Sequence, residues 1–158
     1  ETVTIGLTPP RDYRPGIKLA LRSGSYEVHG INTGVPHVVM FVPDVEQVPV
    51  AELGSEIRWH SEFAPAGTNV NFVQILEPGH IRVRTFERGV EGETLACGTG
   101  ITASALICAL LKGFKSPVKV RAQGGDTLEV GFEKRGDGFD AVCLTGPAEF
   151  VFDGEIDL

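Results

Sequence analysis

Alternation of apolar and polar positions marks most of this chain as strand. Val3–Leu7, Ile17–Leu21, Tyr26–Asn32 and His37–Val42 are short runs rich in β-branched residues, punctuated by Gly and Pro. Val48–Ser61 changes period: Val50, Leu53 and Ile57 fall three to four residues apart and Pro49 suits a first helical turn, so a helix is expected there. Val70–Leu76 and Ile81–Phe86 flank Glu77-Pro78-Gly79-His80, a hairpin signal. Within Ile81–Phe86, Ile81, Val83 and Thr85 share one face, and Arg82, Arg84 and Phe86 the other. From about Thr99 to Lys112 almost no polar face remains, and a helix apolar all round is enclosed on all sides. Gly113 is placed to cap it. Val118–Arg121, Thr127–Phe132, Phe139–Leu144 and Ala148–Phe152 then read as strands, with Lys134-Arg135-Gly136-Asp137-Gly138 as a hairpin loop. The expected fold is mixed α+β, a curled β-sheet wrapped around one buried central helix, with 1–158 forming a single domain.

Composition narrows the functions without choosing one. The length suffices for an independent core. A net charge of −7 with no basic run argues against nucleic acid or an anionic membrane as partner. No apolar stretch approaches the ~20 residues of a membrane span, and no signal peptide is visible. Three cysteines without a CxxC fit a reducing compartment, so the cytoplasm is the expected location. The opening Glu1 leads straight into an alternating run, as though cut from a longer protein.

The chemistry concentrates in 87–100, Glu87-Arg88-Gly89-Val90-Glu91-Gly92-Glu93-Thr94-Leu95-Ala96-Cys97-Gly98-Thr99-Gly100. Cys97 stands among small residues where the apolar helix begins. A helix N-terminus favours the thiolate, and its unpaired N–H groups form a seat for a carboxylate. A sulfur base beside a carboxylate seat points to proton chemistry on the α-carbon of an amino acid. The alternative for Cys97 is a small buried hydrophobe, which is the expected role of Cys108, inside the apolar helix, and of Cys143, between Val142 and Leu144. Cys108 cannot flank the same carbon as Cys97, because eleven helical steps separate them by roughly 16 Å. Glu87 and Arg88 end a strand just before this motif, a position that suits function as well as solvation. His37 follows Gly34-Val35-Pro36, and spacing alone favours a structural histidine over a site residue. Asn69 and Asn71 either orient a turn or donate to a ligand. His29, His60 and His80 show no metal-ligand spacing, so neither metal nor cofactor is expected. Gly98-Thr99-Gly100 lacks the rest of a P-loop or a dinucleotide fingerprint.

Five blocks in order resemble the C-terminal half of diaminopimelate epimerases: 32–37 (NTGVPH), 67–72 (GTNVNF), 87–89 (ERG), 93–100 (ETLACGTG) and 144–148 (LTGPA). The resemblance covers essentially the whole chain. It implies a two-domain enzyme, independent of pyridoxal phosphate, with diaminopimelate in the cleft and one cysteine from each domain. One thiolate removes the α-proton and the opposite thiol returns one from the other face, converting LL- to meso-diaminopimelate in lysine biosynthesis. By motif, Cys97 corresponds to this domain's acid/base, Gly98 and Thr99 to donors for the reacting α-carboxylate, Glu87 and His37 to residues assisting the two cysteines, and Arg88 and Asn69 to binders of the distal end. Nothing in these residues matches the N-terminal half, so the missing N-terminal domain is the expected partner and the isolated chain is expected to be inactive. The resemblance leaves room for a homodimer of the full-length protein.

Two departures stand out. Val35 replaces an Asn common before Pro-His, and Glu91 lengthens the interval from Glu87 to Cys97 by one residue. The rival readings are another cofactor-independent racemase of the proline-racemase kind, which shares a Cys-Gly-Thr-Gly turn, and a non-catalytic module that keeps only the scaffold.

Overall fold

A computed structural model describes residues 1–158. Ten strands form one sheet: β1 (Thr2–Gly6), β2 (Arg11–Leu21), β3 (Gly24–Asn32), β4 (Pro36–Phe41), β5 (Asn69–Glu77), β6 (His80–Glu87), β7 (Gly92–Thr94), β8 (Val118–Arg121), β9 (Thr127–Arg135) and β10 (Gly138–Pro147). Two helices accompany them, α1 (Val50–Arg58) and α2 (Gly98–Lys112). The strand order is β1-β10-β9-β8-β6-β5-β4-β3-β2, with β7 paired to β6 off this path. Neighbours are antiparallel except β4 with β5 and β6 with β8. The chain leaves β4 through α1 to reach β5, and leaves β7 through α2 to reach β8.

The two crossover helices pack on opposite faces, and the alternation of strand residues follows from that. Val39, Val73, Ile81 and Val83 join Ile101, Leu106, Ile107 and Cys108 of α2 in one apolar cluster. Strands β3, β4, β5, β6, β8, β9 and β10 all contribute to it, so the sheet curls around α2 as its all-round hydrophobicity requires. The out-of-phase residues Val38, Met40, Val70, Phe72 and Phe86 pack with Val50 and Ile57 of α1 in a second cluster. Thr102 and Ser104 are buried inside α2, where their hydroxyls donate to the carbonyls of Gly98 and Gly100 at 2.9 and 2.8 Å. Gly113, at φ 69°, ends the helix in a left-handed cap, its N–H donating to the Cys108 carbonyl.

Several element boundaries differ from the sequence expectation. The helix expected at Val48–Ser61 contracts to Val50–Arg58, with a 3-10 turn on either side at Val45–Gln47 and Ser61–Phe63. Asp44 and His60 cap those turns by accepting from the N–H groups of Glu46 and Glu62, which breaks the helical ladder at both ends. β2 begins at Arg11, earlier than Ile17, because an edge strand pairs on one side only and tolerates polar residues on both faces. β7 was not expected at all; three polar residues carry no period. The strand expected at Ala148–Phe152 does not form. Ala148 donates to the Glu1 carbonyl, and beyond that point the segment has no ladder partner among these residues, so Phe150, Val151 and Phe152 lie exposed.

Gly54 lets α1 sit directly on β6. A Cβ there would stand 2.5 Å from Phe86 Cβ and 2.7 Å from its Cγ. Gly54→Ala is therefore expected to destabilise the fold by about 1–3 kcal/mol through overpacking, read as a lower denaturation midpoint in urea with the slope unchanged.

Candidate active site

The first turn of α2 lies against the ends of β4 and β5, and the site grows from how it is held there. Cys97 is the N-cap, with extended backbone angles (φ −132°, ψ 106°), and its carbonyl accepts from Ile101 N–H at 2.8 Å. Its thiol does not cap the helix. The half-buried sulfur therefore stands free beside first-turn N–H groups that have no intrahelical partner. Thr99 locks the turn in two directions. Its carbonyl accepts from the Thr33 hydroxyl at 2.8 Å, and its own hydroxyl lies 2.8 Å from His37 Nε2 and 3.6 Å from Cys97 Sγ. Gly100 permits this approach: a Cβ there would overlap Asn71 Oδ1 and lie 3.2 Å from His37 Cε1.

His37 is 1% exposed. Burial, reinforced by the charge of Arg88, pushes its pKa down to about 3, so the ring is neutral at physiological pH. Asn71, fully buried, approaches His37 Nδ1 at 3.0 Å with its amide nitrogen, which also donates to the Val38 carbonyl at 3.0 Å. Its oxygen accepts from the Thr85 hydroxyl at 2.8 Å. These polar residues are in phase with the apolar ones that face α2: Val39 pairs with Asn71, and Asn71 with Thr85.

A second group forms around the end of β6. Asn69 is a strand residue, not a turn residue; its amide donates to the Pro36 carbonyl at 2.9 Å and its oxygen accepts from Arg88 N–H at 2.8 Å. Arg88 reaches back to the Ala66 carbonyl at 3.2 Å. Glu87, half-buried, ends β6, and its carbonyl accepts from Glu91 N–H at 2.9 Å. Glu91, in the loop after β6, adopts φ 58° and is moored rather than slack. Its carboxylate accepts from Arg58 Nε at 2.7 Å and from Gly89 N–H at 3.1 Å, and the bond to Arg58 holds its pKa below the usual carboxylate range. Arg58, nearly buried, stacks 3.8 Å over Trp59.

The structure thus joins Cys97, Thr99 and His37 in direct contact, with Gly98 between the first two, and links Asn69 to Arg88 beside Glu87. Val35 is half-buried, and its carbonyl accepts from Thr33 N–H at 3.3 Å. Cys108 is fully buried and its thiol is pushed up to about 12 by burial; Cys143 is half-buried in β10. Thr33, Thr85 and Arg58 are the participants that sequence reasoning did not single out. The phase of Thr85 with Val83 and Ile81 was the available signal for one of them. A cavity of about 270 Å³ opens beside Pro36, His37 and Thr68, with Arg14 and Glu62 at its rim, joined at 2.7 Å. No cluster of three or more His, Cys, Asp or Glu side chains is gathered for a metal ion.

Two outcomes follow from these placements. The unfolded chain binds the His37 proton near its ordinary pH of 6.5 and the folded chain only near 3, so protonation favours unfolding between those values. Stability is complete above pH 6.5 and is expected to fall by about 1.4 kcal/mol per pH unit below about 6 from this group; His37→Gln should flatten that part of the urea-unfolding profile. Under native conditions iodoacetamide is expected to label Cys97 and to leave Cys108 untouched, as peptide mass spectrometry would show; equal labelling would contradict the assignment of Cys108 to the core.

Known proteins place these features in context. The family model described as diaminopimelate epimerase matches residues 30–151. The diaminopimelate epimerase of Chlorobaculum tepidum is 43% identical over 159 aligned residues, covering 100% of this chain and 59% of that protein. That of Aquifex aeolicus is 49% identical over 158, covering 98% of this chain and 54% of its own length. The chain thus spans little more than half the length of these curated relatives. Among solved structures, a probable proline racemase from Agrobacterium radiobacter superposes with a TM-score of 0.70 at 19% identity, over 97% of this chain and 54% of that one. A hydroxyproline epimerase from Agrobacterium vitis gives 0.69 at 21%, over 92% and 50%. At such identities these two matches speak for the fold alone.

Proposed function

The chain belongs to the diaminopimelate epimerase family, and on that premise we propose that it supplies one of two acid/base cysteines for inverting the α-carbon of LL-diaminopimelate to the meso form, without a cofactor. The observation that carries this reading is Cys97 at the start of α2, its sulfur free of capping duty and backed by Thr99 and His37. In the proposed step the Cys97 thiolate takes the α-proton onto sulfur, and the electron pair left on carbon spreads into the adjoining carboxylate. That carboxylate accepts from the first-turn N–H groups of Gly98 and Thr99, where the field of α2 stabilises charge as it develops. A proton then reaches the carbon from the opposite face, completing inversion, and the sequence runs in reverse from meso to LL.

The opposite face needs its own sulfur. Cys108 lies in the core and Cys143 in β10, so the second acid/base is assigned to an additional N-terminal domain, and Glu87 and His37 are assigned to assist the two cysteines. Arg88 is assigned to the distal, non-reacting end of the substrate. Asn69 holds Arg88 in place through its oxygen and keeps one amide hydrogen for the ligand. Free cysteines of this kind suit a reducing compartment, and the cytoplasm is the proposed location.

The test is conversion of LL-diaminopimelate by the full-length protein, followed together with α-proton exchange in deuterated water against a panel of amino acids. Cys97→Ala is expected to lower the rate by roughly 10²- to 10⁴-fold, and the 158-residue chain alone is expected to show no epimerisation. Exchange of proline without exchange of diaminopimelate would replace this reading with the proline-racemase one. Normal turnover by the isolated chain would remove the need for a second domain.

A further inference from the structure

Asn71 faces three partners at once, and only one arrangement of hydrogens satisfies all of them. The Val38 carbonyl can only accept, so the atom 3.0 Å from it is the amide nitrogen; this fixes which way the side chain of Asn71 is turned. The Thr85 hydroxyl donates to the oxygen on the other side, at 2.8 Å. One amide hydrogen goes to Val38, and the other points at His37 Nδ1, 3.0 Å away. An N–H aimed at that ring nitrogen requires a lone pair there, so in the neutral ring the single proton resides on Nε2. Asn71 is fully buried, and Gly100 packs against its oxygen too closely for a Cβ, so no water relaxes this constraint.

The consequence runs outward. Nε2–H donates to Thr99 Oγ1 at 2.8 Å and occupies that oxygen as an acceptor. The hydroxyl hydrogen of Thr99 is then left to point at Cys97 Sγ, 3.6 Å away. We propose that Asn71 is a positioning residue that sets the Nε2–H tautomer of His37, so that a one-way chain of donors, Asn71 to His37 to Thr99, ends on the sulfur of Cys97 and favours its thiolate. His37 in this arrangement does not receive the cysteine's proton; it turns the threonine hydroxyl toward sulfur. A direct histidine base would need the opposite tautomer, which the amide of Asn71 opposes. The inference rests on the reading of Cys97 as an acid/base but concerns a different property, the direction of hydrogen bonding in the resting site.

The tautomer is read directly from the full-length protein carrying ¹⁵N-labelled histidine, with the His37 signals identified by their loss in His37→Gln. The expected spectrum between pH 6 and 8 shows His37 with a pyridine-like Nδ1 and a protonated, pyrrole-like Nε2. A protonated Nδ1 overturns the proposal without any variant. In a second measurement, Thr99→Val removes the last donor. Alkylation of Cys97 by iodoacetamide at neutral pH, followed on its own peptide, is expected to slow roughly tenfold, as for a lost charge-assisted hydrogen bond. The His37 tautomer should be unchanged, and Thr99→Ser should restore the rate. An unchanged rate in Thr99→Val overturns the relay. Asn71→Asp, which exchanges the amide donor for an acceptor, is expected to move the proton to Nδ1 and to slow alkylation like Thr99→Val; should it fail to fold, the first two measurements still decide. None of these readouts involves substrate. Failure to epimerise diaminopimelate with the relay intact would remove the proposed function alone, and the reverse pattern would remove the relay alone.

Discussion

The docking of α2's first turn onto β4 and β5 is the constraint on which the rest depends. The helix is apolar on every side and belongs inside the sheet, yet its N-terminus must remain at the rim. Residues 98–100 meet both demands. Gly100 brings the backbone close to Asn71 and His37, and Thr99 clamps it to Thr33 and His37. Further along, the apolar residues from Ile101 to Ala109 sink into the cluster shared with β3 to β6 and β8 to β10. The core therefore fixes the direction of the helix, and the polar clamp fixes where it begins. Cys97 inherits its position from both.

The same faces that build the core select the polar network. Period-two alternation puts His37, Asn71 and Thr85 on the α2 side of three neighbouring strands. These strands carry Val39, Val73, Val83 and Ile81 in the same phase. A buried polar cluster is tolerable only when its members satisfy one another, and this one does so without water. Its cost falls on His37, whose ring is held neutral far below its ordinary titration range.

Much of this was legible in the chain. The apolar run from Ile101 to Leu111, interrupted only by Thr102 and Ser104, announced an enclosed helix, and Pro78-Gly79 and Gly136-Asp137 announced the hairpins between β5 and β6 and between β9 and β10. Cys97, Glu87 and Arg88 stood out through their short-range motif. What sequence reading missed depends on pairing across distance. Asn69 and Asn71 suggest a turn in isolation and become strand residues only because β4 and β6 lie on either side. The apolar, β-prone composition of Ala148–Phe152 suggests a strand, but local pattern cannot supply the neighbour a ladder requires. The joining of Thr33 to Thr99, 66 residues apart, leaves no local trace.

The ion pair between Glu91 and Arg58 ties a surface loop to α1. Surface loops are ordinarily the slack part of a fold. Here Glu91 supplies the carboxylate that a nearly buried guanidinium needs, and the same oxygen accepts from Gly89, one residue beyond Arg88. The loop and the last turn of α1 are consequently one structural unit: shortening the loop would strand Arg58 without its counter-charge, and replacing Arg58 would free the loop that carries Arg88. A substitution on the outer surface of α1 around Trp59 thereby has a route to Arg88, on the far side of the Arg58–Glu91 pair.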